Sequence, residues 1–262
     1  MNGENFDLYA KCRICGKEYA AVPAKLDGVQ RESAIALMEL FPICPECAKK
    51  EEAKCKAAEE TRRKREIACE IEKLWHLSGI PPGYRFLRQN GNEIAAPLVP
   101  GVAAWISRYA NRNILLSGAT GTGKSTSAVF CAGAMIRQRR RVRYCKLHRM
   151  LSEWREAKTG TERRADEIFF ENIGKLDLLI VDEAVGKAKM TDSGQDMMFE
   201  LLDRICTGEI PGTRVWLLGN FHPGSIVELF GDCEPVLRRL QENFVCGEAK
   251  SGSVEVFDVW RK

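Results

Sequence analysis

From residue 84 onward, short apolar runs alternate with segments in which apolar residues follow helical spacing. Four runs predict strands: Ile114–Leu116, Arg143–Lys146, Leu176–Val181 and Val215–Leu218. A helix is predicted from Lys124 to about Gln138. Strands that are apolar along their length are buried on both faces, so this order predicts an α/β fold with a central parallel sheet between helices.

The residues before this region have a different pattern. Residues 1–48 contain two cysteine pairs, with a predicted turn at Asp27-Gly28 and a predicted helix from about Glu32 to Leu40. From about Ala48 to Leu77 acids and bases alternate without glycine or proline, which predicts a long charged helix that ends at the glycines and prolines of residues 78–83. We therefore divide the chain into a small module (1–48), a charged helical linker (49–77) and a larger α/β domain (78–262).

Composition and charge narrow the class of protein. The 262 residues are 45% hydrophobic and 29% charged, as in ordinary globular proteins, and no run approaches the roughly 18 apolar residues of a membrane span. The N-terminal sequence lacks a signal-peptide pattern, so we expect a cytoplasmic protein without membrane association. A net charge of +4 permits a nucleic-acid partner without requiring one.

The segment after the first predicted strand has the pattern G-x-x-x-x-G-K-[ST]. It comprises Gly118, Ala119, Thr120, Gly121, Thr122, Gly123, Lys124 and Ser125, with Thr126 next. The glycines allow backbone N–H groups to turn toward an anion, and the following helix directs its positive end to the same place. Lys124 would contact nucleotide phosphates, and the Ser125 hydroxyl would bind Mg²⁺. The alternative is an ordinary glycine-rich turn, but the flanking strand and helix favour a phosphate-binding loop.

Polar residues follow two further predicted strands. Asp182 and Glu183 end the run that begins at Leu176, and Asn220 follows the run Val215–Leu218. Asp182 would hold Mg²⁺ through water, Glu183 would polarise an attacking water, and Asn220 could orient that water. The alternatives are a solvated acidic turn and an ordinary turn asparagine.

Cysteines suggest a metal site. Eleven occur in a chain without an export signal, which argues against a disulfide framework. The pairs Cys12/Cys15 and Cys44/Cys47 supply four thiolates suited to a structural, tetrahedral Zn²⁺. Free core cysteines and a redox pair are the alternatives, and we expect the other seven cysteines to be reduced and mostly buried.

Basic residues cluster at 137–143, where they would either contact a phosphate backbone or form a solvated helix end. Residues 62–65 favour a solvated helix face. A DNA-facing insertion could lie after the second strand, where Trp154, Arg155, Lys158, Arg163 and Arg164 add aromatic and basic character.

The order of these motifs resembles the AAA+ ATPases of the DnaC type, the replicative helicase loaders, and their IstB relatives. Residues 78–86 resemble the segment that leads into the family's adenine pocket, Asp177–Gly186 the Walker B segment, and Val254–Arg261 the final strand. Val236–Leu240 resembles the box that places an arginine finger in a neighbour's site, which makes Arg239 the finger and Arg238 the fallback. The resemblance covers residues 78–262, and by it this AAA+ ATPase domain lacks the C-terminal helical lid.

The resemblance implies an ATPase that uses ATP and Mg²⁺, self-associates through the ATP site and binds single-stranded DNA and the hexameric replicative helicase. Ser125 stands where the family usually has Thr, and Asp182-Glu183 replaces a frequent Asp-Asp, which favours hydrolysis. The alternatives are an IstB-like transposition helper, a nucleotide-switched DNA-binding protein with negligible turnover, and an unrelated P-loop enzyme such as a small kinase.

Overall fold

The computed structural model describes residues 9–20, 43–84, 98–159, 165–185, 190–230 and 233–259. The chain forms two compact units, residues 1–68 and 69–262. The turn predicted at Asp27-Gly28, the helix predicted near residues 32–40, and Arg163 and Arg164 lie outside the described residues. None of the described helices combines the length and apolar character that a membrane crossing requires.

The first unit contains a two-stranded antiparallel hairpin, β1 (Tyr9–Lys11) and β2 (Glu18–Ala20), and most of the long helix α1 (Pro45–Leu77). Proline suits the first turn of a helix, because its missing N–H would have no helical partner there. Exposed pairs at helical spacing, such as Lys56–Glu52 (2.6 Å) and Lys64–Glu60 (2.6 Å), run along α1. This confirms the predicted charged helix, although each exposed pair stabilises it little.

The second unit contains a six-stranded sheet and its helices. In chain order the elements are α2 (Pro100–Arg108), β3 (Asn113–Gly118), α3 (Lys124–Arg137), β4 (Val142–Lys146), α4 (Leu147–Thr159), α5 (Ala165–Gly174), β5 (Leu178–Val185), α6 (Asp192–Cys206), β6 (Arg214–Gly219), α7 (Ile226–Leu229), α8 (Glu234–Asn243), β7 (Phe244–Lys250) and β8 (Ser253–Val256). The strand order is β4-β5-β6-β3-β7-β8. Only β8 is antiparallel to its neighbour, so the sheet is mostly parallel, as predicted.

Two apolar clusters cover the two faces of this sheet. One contains residues of α2, α3 and the end of α1, and the other contains residues of α4 to α8. Trp75 lies against Gly133 of α3 so closely that a methyl group there would be 3.2 Å from its ring. Because β3, β4, β5 and β6 are parallel, their carboxyl ends lie at one edge of the sheet, which is where ligands bind in open α/β sheets.

The structure differs from the predictions in the strands near the end of the chain and in the burial of the scattered cysteines. β7 was not predicted, although it pairs with β3 along its length, and the predicted last strand is the short antiparallel β8, which ends at Val256. Of the seven scattered cysteines only Cys131, Cys145 and Cys246 are buried, so the expectation of mostly buried cysteines is wrong. Between Lys250 and Val259 the described chain contains β8 and no helix.

Candidate nucleotide site and cysteine cluster

A cavity of about 430 Å³ lies at the carboxyl edge of the parallel strands, within the size range of small-molecule sites. It is lined by Pro81, Tyr84, Thr120, Gly121, Gly123, Lys124, Ser125, Thr126, Tyr144, Lys146, Asp182, Glu183 and Asn220. The phosphate loop, both acids and the asparagine of the sequence prediction therefore share one cavity. A larger cavity of about 780 Å³ near Phe170 and Arg204 contains none of the predicted site residues.

The phosphate loop leaves no room for side chains at its base. Gly118 has φ +137°, and a methyl group there would lie 2.5 Å from the Ala249 carbonyl oxygen. Gly121 and Gly123 also have positive φ, and Gly123 precedes α3 without a side chain to cap it. The first N–H groups of α3 are therefore free of a side-chain cap, which suits an anion such as a phosphate.

Lys124 lies at the centre of the loop with 5% of its surface exposed. Its Nζ donates to the carbonyl oxygens of Gly118 (2.8 Å) and Ala119 (2.9 Å), and to Thr122 Oγ1 (3.2 Å). Burial lowers the pKa of Lys124, while the charge of Asp182 opposes that shift. A buried ammonium group beside neutral oxygens gains from an anionic partner, so the loop fits a phosphate.

The end of β5 has an irregular backbone. Its pairing with β6 shifts register between Val181 and Val185, and Glu183 has φ +53°. A non-glycine residue in this region costs on the order of 1–3 kcal/mol, and such residues concentrate at functional sites. The neighbouring Asp182 is buried, whereas Glu183 is exposed, so the irregularity separates the environments of the two acids.

Each acid has a partner on β4. Tyr144 donates its hydroxyl to Asp182 Oδ2, and Lys146 Nζ lies 2.8 Å from Glu183 Oε1. Burial and the charge of Asp182 raise the pKa of Tyr144, so its phenol remains protonated and a donor. Neither Tyr144 nor Lys146 was predicted to lie at the nucleotide site. Their spacing of two residues on a strand, which puts both on one face, was the available signal.

Arg239 does not line the cavity. It lies on α8, where its Nε donates to Asp203 Oδ1 of α6 (3.1 Å) and its guanidinium lies 4.5 Å from the centre of the Phe199 ring. Arg238 is more exposed, with 72% of its side chain accessible against 24% for Arg239, and pairs with Glu242 at 2.9 Å. Neither arginine contributes to the site of its own chain.

The four paired cysteines form a compact cluster in the first unit. The sulfurs of Cys12, Cys15, Cys44 and Cys47 all lie within 4.8 Å of one another. Gly16, at φ +73°, closes a turn after the first pair by donating its N–H to the Cys12 carbonyl oxygen at 2.9 Å. The second pair lies at the start of α1, whose dipole favours thiolates.

The cluster fits a zinc ion. The Cys15 and Cys44 sulfurs are 3.7 Å apart. Tetrahedral bonds of about 2.3 Å to zinc put two sulfurs about 3.8 Å apart. The Cys44 N–H lowers the pKa of Cys12 to about 6, whereas the neighbouring Cys44 thiol raises that of Cys47 to about 12. So many close thiols resist joint ionisation without a cation, and Zn²⁺ would supply one.

Three of the five arginines in the basic run at 137–143 are paired with acids. Arg139 lies 3.5 Å from Glu70, Arg140 lies 2.9 Å from Asp177, and Arg143 pairs with Glu153. These pairs favour the solvated, structural alternative over a phosphate-contacting surface.

Trp154 does not present the aromatic surface that a DNA-facing insertion after β4 would use. Trp154 is only 4% exposed and belongs to the core, and Lys158 lies over its ring at 4.2 Å. Arg155 is exposed and donates to Ser193 Oγ at 3.1 Å.

Several solved structures align with about two thirds of this chain. Among solved structures, the DnaC helicase loader aligns at 12% identity with a TM-score of 0.48 and covers 65% of this chain and 100% of its own. DnaI aligns at 14% identity with a TM-score of 0.42, and the alignment covers 66% of this chain and 93% of DnaI. DnaA of Aquifex aeolicus bound to AMPPCP aligns at 18% identity and 0.48, covering 65% of this chain and 51% of its own. These scores are too low to assign the fold, which rests on the strand order and phosphate loop described above.

No curated protein matches the sequence significantly. The family model described as "IstB-like ATP binding protein" matches residues 61–210, more than half of the chain, and includes the phosphate loop and both acids. The chain has an α/β fold with a mostly parallel sheet and a phosphate-binding loop, and it belongs to the family of IstB-like ATP-binding proteins.

Proposed function

We propose that this chain is an ATPase that loads the hexameric replicative helicase onto single-stranded DNA. One observation carries the ATPase part of the proposal: Lys124, Asp182 and Glu183 come from distant segments and line the same cavity, together with Asn220. A loop that only bound nucleotide would need neither a second carboxylate nor an asparagine across the cavity from it.

Substrate binding is assigned to the phosphate loop. The amides at the start of α3 would receive the phosphates, and Lys124 would exchange its present carbonyl partners, Gly118 and Ala119, for phosphate oxygens. Ser125 and Asp182 would hold Mg²⁺. This ion neutralises charge that develops on the phosphates during transfer.

Glu183 is assigned the role of general base. Its carboxylate would accept a proton from the attacking water, and the Asn220 amide would orient that water. In the present structure Lys146 binds Glu183 Oε1 at 2.8 Å, so the carboxylate must loosen this ion pair to reach the water. An exposed ion pair of this kind is worth only about 0.2–1 kcal/mol, which makes the exchange inexpensive.

Arg239 is assigned the role of arginine finger for a neighbouring copy. Its absence from its own cavity is compatible with a role in another subunit's site, since a guanidinium stabilises transferred phosphate from the far side. Arg239 is at present bound to Asp203, so assembly would exchange one anionic partner for another.

The loader role rests on the motif order, which resembles the DnaC-type ATPases, and on the cysteine cluster. A zinc-stabilised module that precedes the ATPase residues would supply a docking surface for the helicase, while ATP would drive self-association on single-stranded DNA. Fewer than 50 residues rarely fold without such a metal or a comparable constraint.

A second candidate is a transposition helper of the IstB type, which the family match favours directly. Both candidates use the same ATPase site and differ in the partner. A nucleotide switch with negligible turnover is less well supported, because it would need neither Glu183 nor Arg239.

The partner is tested by capture. The immobilised full-length chain is mixed with the purified replicative helicase of the same organism, with ATP, with ADP or without nucleotide, and with or without single-stranded DNA. The loader proposal expects stoichiometric helicase capture that changes with ATP and is insensitive to ATP in Lys124→Ala. No capture under any condition would contradict the loader role and leave the transposition helper as the better candidate.

A further inference from the structure

We infer that Tyr144 is a positioning residue that fixes the Asp182 carboxylate for a divalent cation. The inference rests on the proposed Mg²⁺-dependent ATP site and adds to it a residue from the neighbouring strand. It is drawn from the contacts of Asp182, whose two carboxylate oxygens have different donors.

Asp182 is held from two directions. Its Oδ1 accepts the Glu183 N–H at 2.8 Å, and its Oδ2 accepts the Tyr144 hydroxyl. With 8% of its surface exposed, Asp182 has little water to replace either donor. One donor on each oxygen fixes the plane of the carboxylate and leaves a lone pair on each for the cation or its water.

Tyr144 is itself held in place. It is 6% exposed, and its N–H donates to the Ser78 carbonyl oxygen at 2.6 Å. Gly79 approaches the same residue so closely that a methyl group there would lie 2.7 Å from the Tyr144 carbonyl oxygen. β4 therefore cannot shift away from residues 78 and 79 without breaking these contacts, and the phenol stays directed at Asp182.

The alternative is that Tyr144 only fills the core beside α3. A filling role needs the ring and not the hydroxyl, so Tyr144→Phe separates the two roles. The two roles also differ in what they affect: positioning of Asp182 concerns the cation, whereas loss of packing concerns folding and every ligand of the cavity.

The experiment measures affinity for a fluorescent ADP analogue, first in excess EDTA and then across a Mg²⁺ titration. For Tyr144→Phe we expect EDTA affinity within about twofold of wild type, and a Mg²⁺ concentration for half-maximal tightening raised about tenfold, the size expected for a lost hydrogen bond to a charged group. Mn²⁺ binding in the presence of ADP, followed by electron paramagnetic resonance, should weaken in parallel. The control is Tyr109→Phe, which changes a tyrosine at the C-terminal end of α2 that does not line the cavity, and its Mg²⁺ requirement should match that of wild type.

A Mg²⁺ requirement in Tyr144→Phe equal to that of wild type would overturn the inference. Equal losses in EDTA and in Mg²⁺, or a lower melting temperature with no selective effect on the cation, would also overturn it in favour of packing. If wild type itself shows no Mg²⁺ dependence, the proposed ATP site fails first, so the two failures are distinguishable.

Discussion

Single residues at the candidate site combine burial with unusual local geometry. Lys124 is buried against neutral oxygens, and Glu183 adopts a left-handed backbone conformation at the end of a strand. Neither feature stabilises the chain alone: a buried ammonium group is desolvated, and a positive φ strains a glutamate. An anion in the cavity would offset the desolvation of Lys124, and backbone strain such as that at Glu183 concentrates at functional sites.

Lys124→Ala should abolish nucleotide binding. The change removes the one ammonium group that lines the loop from within, so we expect affinity for a fluorescent ATP analogue to fall at least about 100-fold, in line with the loss of a buried charge partner. Lys175→Ala removes an exposed lysine that contacts Asn172 and should bind as wild type does. Unchanged affinity in Lys124→Ala would contradict the phosphate-loop interpretation.

The position of a residue could be predicted from the sequence where it depends on local spacing. The spacing of Gly118, Lys124 and Ser125 specifies the loop because one turn and one helix start position all three. Tyr144 and Asp182 are 38 positions apart, and their contact depends on the register of β4 against β5. Register follows from packing of the whole sheet, so a single sequence did not reveal it.

Strands and helices were predictable where their apolar pattern is unbroken. β3 and β6 are buried from their second residue onward and were recognised, whereas β7 contains Gly247 and Glu248 within a mixed sequence. Gly247 is needed because a methyl group there would lie 2.7 Å from the Trp105 ring. Gly247 therefore interrupts the apolar pattern of β7 because the strand packs closely against Trp105, a contact that the sequence pattern does not show.

Arg239→Ala tests whether Arg239 of α8 acts as an arginine finger. The variant should bind ATP normally and lose hydrolysis stimulated by single-stranded DNA by about 10³-fold, the lower range for an arginine finger. Because Arg239 also binds Asp203, Arg239→Ala removes an ion pair as well as the finger. The control is Asp203→Asn, which loses the same ion pair but keeps the arginine, and the melting temperatures of the two variants are compared. Full stimulated activity in Arg239→Ala would move the finger to Arg238 or remove it.

The whole chain joins a module with four clustered cysteines to an ATP-binding α/β domain. The family match begins at residue 61, within α1, and covers the ATP-binding region, while the cysteine cluster precedes it. The two units therefore carry different chemistry, with four clustered cysteines in one and a phosphate loop in the other.

Cys12→Ser should release the metal while sparing the nucleotide site. Replacing one of four thiolates weakens a closed tetrahedral shell, so we expect zinc per chain to fall well below one and helicase capture to decline. Cys55→Ser, which changes an exposed cysteine of α1, is the matched control. A full complement of zinc in Cys12→Ser, measured by elemental analysis, would show that the ligand set is wrong.

The proposed roles of the acids of β5 require this family member to hydrolyse ATP. Steady-state ATP turnover should be measured for wild type and Glu183→Gln at saturating MgATP with single-stranded DNA, alongside ATP affinity. We predict that wild type hydrolyses ATP, and that Glu183→Gln binds it with similar affinity but turns over about 10²–10⁴-fold more slowly, the range for a lost general base. Wild-type turnover by Glu183→Gln would contradict the general-base role of Glu183, and no turnover by the wild-type chain would contradict the proposed ATPase activity.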